Sequence, residues 1–196
     1  MKHGTRSNRG NGMNIPDSIK KRRSIRSFNH KPVEPAKVRL LLEAATWAPS
    51  WTNSQPWRFV IVTDPDVKNR IAGVMPANRG LNGLKEAPIL IVVCAKTGVS
   101  GYLKGKPVTD KGDWFMFDTA LSIQNILLTA ESIGLGTLVI GYFDAEKTAS
   151  LIGLPKDHAV VALIPVGYTE QKPEPPPRKS IHAVGFLNRF GDPLQL

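Results

Sequence analysis

Apolar positions along this chain recur in two rhythms, and each rhythm predicts a different element. Residues 35–48 place Val38, Leu41, Leu42 and Ala45 at three- and four-residue spacing, behind Pro35 and ahead of Pro49. That spacing predicts an amphipathic helix with proline at its first position and a proline stop. Residues 113–133 predict the longest helix, apolar on several sides through Phe117, Ala120, Leu121, Ile123, Ile126, Leu127 and Ala130. A helix of that kind belongs in the core or at a subunit contact, and Gly134 is a natural stop for it. Shorter helices are expected over 17–23 with Asp17-Ser18 as cap, over 66–74, over 78–86, and over 145–152 behind Asp144.

Unbroken apolar runs give the strands. Residues 88–95 (PILIVVCA) and 159–168 read as strands buried on both faces, residues 57–63 as a further buried strand, and residues 137–140 as a short one. Residues 96–112, rich in Gly and Lys, read as a mobile loop, and 172–177 as an extended proline-rich stretch. No repeat and no internal boundary interrupts the chain. The expected organisation is a disordered polar tail (1–14), one domain (15–180), and an irregular extension (181–196) that lies on a surface or reaches a neighbour. The order of elements suggests an α+β or α/β layered domain with one sheet.

Composition narrows the class. The chain has 196 residues, 41% of them apolar, enough for one domain with a real core. Its longest apolar run is too short to cross a bilayer, and no secretory signal is legible, so a cytoplasmic protein without a membrane segment is expected. Cys94 is the only cysteine. It reads as a buried small hydrophobe rather than a catalytic thiol.

Charge is unevenly placed. Residues 1–39 hold eleven Lys and Arg against Asp17 and Glu34, so +9 of the net +10 lies there. Nucleic acid, an acidic surface or a small phosphorylated ligand could each explain a basic front end. Phe28 is the only aromatic in that segment, which argues against a specific nucleic-acid site with bases stacked between charges.

Candidate chemistry lies in four places. Arg22-Arg23-Ser24-Ile25-Arg26 sets three guanidiniums and a hydroxyl within five residues, donors that suit phosphate oxygens, although a solvated basic stretch would look the same. Arg178-Lys179 follows the proline run and could converge on the same group. The loop with Ser50, Asn53 and Gln55, set among Trp47, Trp51 and Trp57, offers uncharged donors and acceptors for a heterocycle, or merely satisfies its own backbone. Glycines at Gly134, Gly136 and Gly141, the last beside Tyr142, would allow close backbone approach, without the dinucleotide-binding spacing. No metal motif is present: His3, His30, His158 and His182 are scattered. With no side-chain catalyst in view, a cofactor carrying its own chemistry is the natural suggestion.

Taken together, RRSIRSF (22–28), LLEAATWAPSWTNSQPWRFVIV (41–62), KEAPILIVVCA (85–95), ESIGLGT (131–137), IGYFD (140–144), VVALIPVGY (160–168) and PPPRK (175–179) resemble the nitroreductase family of flavin mononucleotide (FMN) enzymes. The resemblance implies an α+β three-layer sandwich, a mainly antiparallel sheet flanked by helices, in an intertwined homodimer with FMN sites built by both subunits. It assigns Arg22, Arg23, Ser24 and Arg26 to the FMN phosphate and ring edge, joined by Arg178 with Lys179 beside it. It assigns Ser50, Asn53 and Gln55 to the border of the isoalloxazine, and Gly141 and Tyr142 to the turn facing the flavin N5. A further asparagine is expected, either Asn78 or Asn82.

The activity implied is two-electron, ping-pong reduction of a small-molecule acceptor, a nitroaromatic or quinone, at the expense of NADH or NADPH. Relatives of the same fold dehalogenate, fragment the flavin or dehydrogenate, and a non-catalytic flavin sensor is a further alternative. Residues 96–112, with Tyr102, Lys104 and Lys106, are where a substrate lid would sit.

Overall fold

The computed structural model describes residues 14–195. Nearly all of the expected tail lies outside the described residues. The elements run in the order α1 (Asp17–Lys21), α2 (Pro35–Thr46), β1 (Trp57–Val62), α3 (Pro65–Gly73), α4 (Leu81–Glu86), β2 (Ile89–Lys96), β3 (Tyr102–Leu103), β4 (Lys106–Pro107), α5 (Phe115–Ser132), β5 (Gly136–Thr137), α6 (Ala145–Leu151) and β6 (His158–Gly167).

Four strands form one sheet in the order β1-β2-β6-β5, every pair antiparallel. Strand β2 is central and buried from Ile89 to Ala95, as its unbroken apolar run requires. Its side chains alternate between two cores. Ile89, Ile91 and Val93 meet α2 (Leu41, Ala45) and α5 (Ile123, Ile126, Ala130). Leu90, Val92 and Cys94 meet α3 (Ile71, Ala72), α4 (Leu84) and Leu138. A period of two on a strand sends successive residues to opposite faces, so one sequence run serves both layers. The result is a three-layer α+β sandwich.

Helix ends follow local chemistry. Asp64 caps α3 by accepting from Asp66 N at 2.8 Å and Val67 N at 3.4 Å, with Pro65 at the first position. Asp144 caps α6 by accepting from Lys147 N at 2.9 Å. Gly134, at φ 76°, ends α5, and Leu135 N reaches back to Ala130 O at 2.8 Å. Only a residue tolerant of the left-handed region closes a helix in that way.

Three expectations are corrected. Asp17 and Ser18 do not cap α1; Asp17 sits inside the helix and pairs with Lys21 at 2.7 Å. The strand expected over 137–140 is shorter and interrupted: β5 ends at Thr137, and Ile140 makes a lone bridge to Leu163. The loop at 96–112 contains a hairpin, β3–β4, turned by Lys104 (φ 51°) and Gly105 (φ 75°). Two successive left-handed residues make the tight turn that matches strand twist. The extension is irregular, apart from a 3-10 turn at Ile181–Ala183 and a bridge between Phe186 and Pro193.

The Asp144 cap supplies a pH test. Its hydrogen bonds from the Lys147 amide and ammonium hold the carboxyl below its ordinary value of 3.8. A folded pKa below the unfolded one stabilises above the unfolded value and loses that contribution as pH falls through the folded value. Asp144→Ala will lower the thermal midpoint at neutral pH and leave it unchanged in acid below both values, read by circular dichroism melts.

Candidate functional site

The segment after α1 runs as a strap along the edge of the sheet. Ile25 and Phe28 are buried over Ala87, so Arg22, Ser24 and Arg26 are left on the outer side. Ser24 bridges Thr137 in parallel, and Ile25 N donates to Thr137 O at 2.9 Å. From the other side, Gln171 Oε1 accepts from Arg26 N at 2.9 Å and Ser27 N at 3.2 Å, and Thr169 Oγ1 donates to Ser27 O at 2.8 Å. Phe28 N donates to Glu86 Oε2 at 3.0 Å. The chain leaving β6 is thereby tied to the strap, and the proline-rich stretch that follows is carried over the arginines.

The two basic stretches do converge. Arg22, Arg23, Ser24 and Arg26 line one cleft of about 420 Å³ with Pro173, Glu174, Pro176 and Arg178. The arginines differ in what they already do. Arg23 donates to Lys20 O (2.7 Å), Arg22 O (2.9 Å) and Pro173 O (3.2 Å), so its guanidinium serves the backbone. Arg22 and Arg178 donate no side-chain hydrogen bond among the described residues, and Arg26 only a long one to Ser24 O at 3.3 Å. Lys179 is exposed and does not line the cleft. Glu174 is the one acid in the lining.

A second cleft, about 190 Å³, opens beside the first and shares Arg26 with it. It is lined by Asn78, Arg79, Gly80 and the turn that ends at Gly141 and Tyr142. A Cβ at Gly141 would meet nothing within 4 Å, and Tyr142 is 66% exposed, so this turn faces open space. Asn78 Nδ2 donates to Tyr142 O at 3.2 Å, whereas Asn82 is exposed on α4 away from this lining. Of the two candidate asparagines, the cleft contains Asn78.

The 50–55 loop lies elsewhere. It leads into β1, the edge strand opposite β5. Ser24 sits level with Ile89, and Trp57 is paired with Ala95 at the other end of β2. Four strand spacings across and six residues along separate them by roughly 25–30 Å. Ser50, Asn53 and Gln55 are therefore not brought to the arginine cleft of the same chain.

Comparison with known proteins settles the kinship. The family model described as the nitroreductase family matches residues 19–78 and 75–168. The chain belongs to the nitroreductase family. It is 29% identical over 189 residues to a Thermus thermophilus NADH dehydrogenase, covering 84% of this chain and 91% of the relative. It is 28% identical over 192 residues to a 5,6-dimethylbenzimidazole synthase of Rhodospirillum rubrum, covering 87% and 84%. Among solved structures, an NADPH:FMN oxidoreductase from Vibrio harveyi complexed with NAD+ superposes with a TM-score of 0.76 at 26% identity, covering 90% of this chain and 77% of that one.

Three residues that shape these clefts and loops escaped the sequence reading. Arg79 adds a second cation to the Gly141 cleft; its place beside Asn78 was its only signal. Gln171 pins the strap, and nothing in its neighbourhood announced it. Asp118, 2% exposed, holds the 50–55 loop from α5. Cys94 is fully buried, and burial pushes its thiol up to about 12, so no thiolate is available at neutral pH. Among the described residues no helix is long and apolar enough to cross a membrane, and no group of three or more His, Cys, Asp and Glu could hold a metal.

Gly136 controls how closely the strap can lie. A Cβ there would stand 2.9 Å from Ile25 Cγ1 and 3.0 Å from Thr169 Cγ2. Gly136→Ala will push the strap off β5 and cost about 1–3 kcal/mol, the usual range for overpacking, measured by urea unfolding.

Proposed function

We propose that this protein is an FMN-dependent oxidoreductase that uses NADH or NADPH to reduce a small electrophilic acceptor, a nitroaromatic or quinone, as a homodimer. The observation that carries the reading is the convergence of Arg22 and Arg178, 156 positions apart in the chain, on one cleft beside Ser24 and Arg26. Guanidiniums with uncommitted donors and a hydroxyl match the acceptors of a phosphate monoester. The adjoining cleft offers Arg26, Arg79 and the open Gly141 turn to a ring system attached to that phosphate.

Bound FMN would supply two-electron chemistry between the nicotinamide and the acceptor. The chain's own residues do the rest. Arg22, Ser24 and Arg178 would hold the phosphate. Arg26 and Arg79 would set positive charge beside the ring, a preorganised stabilisation of negative charge there. The backbone N–H groups of Gly141 and Tyr142 donate to no partner among the described residues and could turn toward the ring. The separation of the 50–55 loop from this cleft supports the dimer: Ser50, Asn53 and Gln55 reach the ring only from a second copy. Exposed Trp47 (80%), Met116 (54%) and Phe117 (56%), near that loop in sequence or on α5, give such a copy apolar surface to cover.

Purified protein should be yellow, dimeric, and bleached by NADPH. Arg22→Ala and Arg178→Ala should each weaken FMN binding at least tenfold, the loss of one charge-assisted hydrogen bond of ~1.5–3 kcal/mol. Flavin content after dialysis measures it, and full retention in both variants would remove the assignment. Mixing chains carrying Arg22→Ala with chains carrying Asn53→Ala should restore one intact site per mixed dimer. The similarity to the 5,6-dimethylbenzimidazole synthase favours flavin fragmentation as the second reading. Its signature would be irreversible loss of the flavin absorbance rather than cycling.

A further inference from the structure

The 50–55 loop is bent in a way its sequence does not favour. Thr52 (φ 44°), Asn53 (φ 58°) and Gln55 (φ 46°) all lie in the left-handed region, and none is glycine. Such residues persist only where surrounding contacts over-determine them. Inside the loop, Ser50 Oγ accepts from Gln55 N at 3.0 Å, and Gln55 Nε2 donates to Asn53 Oδ1 at 3.1 Å. Both bonds are solvent-facing.

The buried restraint comes from α5. Asp118 Oδ2 accepts from Trp51 N at 3.1 Å, Ser54 Oγ at 3.4 Å and Ser100 Oγ at 2.5 Å. Ser100 is itself fully buried, and its carbonyl accepts from Trp114 N at 3.0 Å. It stands directly before Gly101 and β3, where the hairpin leaves the core; Val108 N closes that hairpin on Gly101 O at 2.9 Å. Trp51 also packs on Trp114, ring centroids 5.4 Å apart. No cation lies in ion-pair range of Asp118 among the described residues. Its three donors are a backbone amide and two hydroxyls, all from the two loops. Asp118 belongs to no buried hydrophobic cluster, so its hydrogen-bond partners, rather than apolar packing, account for its place.

We propose that Asp118 is a positioning residue: one carboxylate oxygen clamps the strained 50–55 loop and ties it to the base of the β3–β4 hairpin, so that the loop is presented to the flavin ring in one fixed shape. This rests on the reading that the 50–55 loop borders the flavin, but the clamp itself can be tested without flavin.

In flavin-free protein, Asp118→Ala should speed amide hydrogen exchange at Asn53, Ser54 and Gln55 at least tenfold. Exchange in β2 should stay as in the parent. In the FMN-loaded dimer, Asp118→Ala should keep its FMN, because Arg22 and Arg178 are untouched. Its visible flavin dichroism should change, and KM for a quinone acceptor should rise about tenfold, a loss of the size expected when charged hydrogen bonds are removed. Asp118→Asn keeps an acceptor oxygen and should restore most of both properties. Should Asp118→Ala fail to fold, Ser100→Ala, which removes one donor only, should shift exchange and dichroism in the same direction by a smaller factor. Parental exchange at residues 53–55 in either folded variant would overturn the clamp. Faster exchange with unaltered flavin dichroism and KM would overturn its link to the ring. A parent protein that takes up no FMN would sink the functional reading and leave the exchange result standing.

Discussion

Hydrogen bonds made to the backbone of residues 22–28 from both sides hold together a group of charges that would otherwise separate. Arg22, Arg26 and Arg178 share a cleft with no ion pair among the described residues. Two unit charges ~6 Å apart repel by roughly 0.7 kcal/mol in water and roughly 3 kcal/mol at an effective dielectric near 20. Against that stand the bonds to Thr137, Gln171, Thr169 and Glu86, each worth about 1 kcal/mol net. Burial of Ile25 and Phe28 adds about 1.5–3 kcal/mol apiece. The strap wins, and it delivers a cationic cleft whose unspent attraction is available to an anion. Arg23 belongs to the winning side, since its guanidinium binds three carbonyls rather than facing an anion.

Sheet topology then decides what one chain can and cannot assemble. The strap lies beyond β5 and the 50–55 loop leads into β1, with β2 and β6 between. No loop movement of ordinary size spans that width without unravelling the central strands, which carry both cores. On the proposed reading, in which the flavin touches both halves, the second half comes from a second chain, and the large apolar side chains left exposed along α2 and α5 give that chain a surface to cover.

Much of this was legible in residue patterns, and the failures have physical causes. Helices α2 and α5 were readable because their apolar residues recur at helical spacing, and strand β2 because burial on both faces leaves an unbroken apolar run. The arginines and Arg178 were readable as a phosphate-suited set, but their convergence was not, because the hydrogen bonds joining Gln171 to Arg26 and Ser27 link positions about 145 apart. Spacing also could not tell Arg23, committed to backbone, from Arg22, which is not. Asn78 is separated from Asn82 by its place in the cleft lining and its bond to the carbonyl of Tyr142, neither of which spacing shows. The β3–β4 hairpin was lost in a Gly- and Lys-rich stretch because two-residue strands are too short to show alternation. Asp118 looked like any polar residue in a helix; what distinguishes it is three partners from two other loops.

The two halves of the proposed site are held by different means, and the energies show why the second needs Asp118. No residue of the strap has a positive φ, so it carries no left-handed penalty. The 50–55 loop holds three non-glycine residues in the left-handed region, each costing roughly 1–2 kcal/mol. Its two side-chain hydrogen bonds are exposed, and with the backbone bonds from Asn53 N to Ser50 O and Ser54 N to Trp51 O they return about 0.5–1.5 kcal/mol each, which offsets the strain with little or no surplus. Hydrogen bonds to a buried carboxylate are worth about 1.5–3 kcal/mol each, and Trp51 and Ser100 supply two good ones. The clamp is thus of the right size to make the strained shape the stable one. Because the same oxygen binds Ser100, the stability of that shape is shared with the hairpin: a ligand that displaced the hairpin would relax the loop, and a loop locked against a ring would hold the hairpin in place.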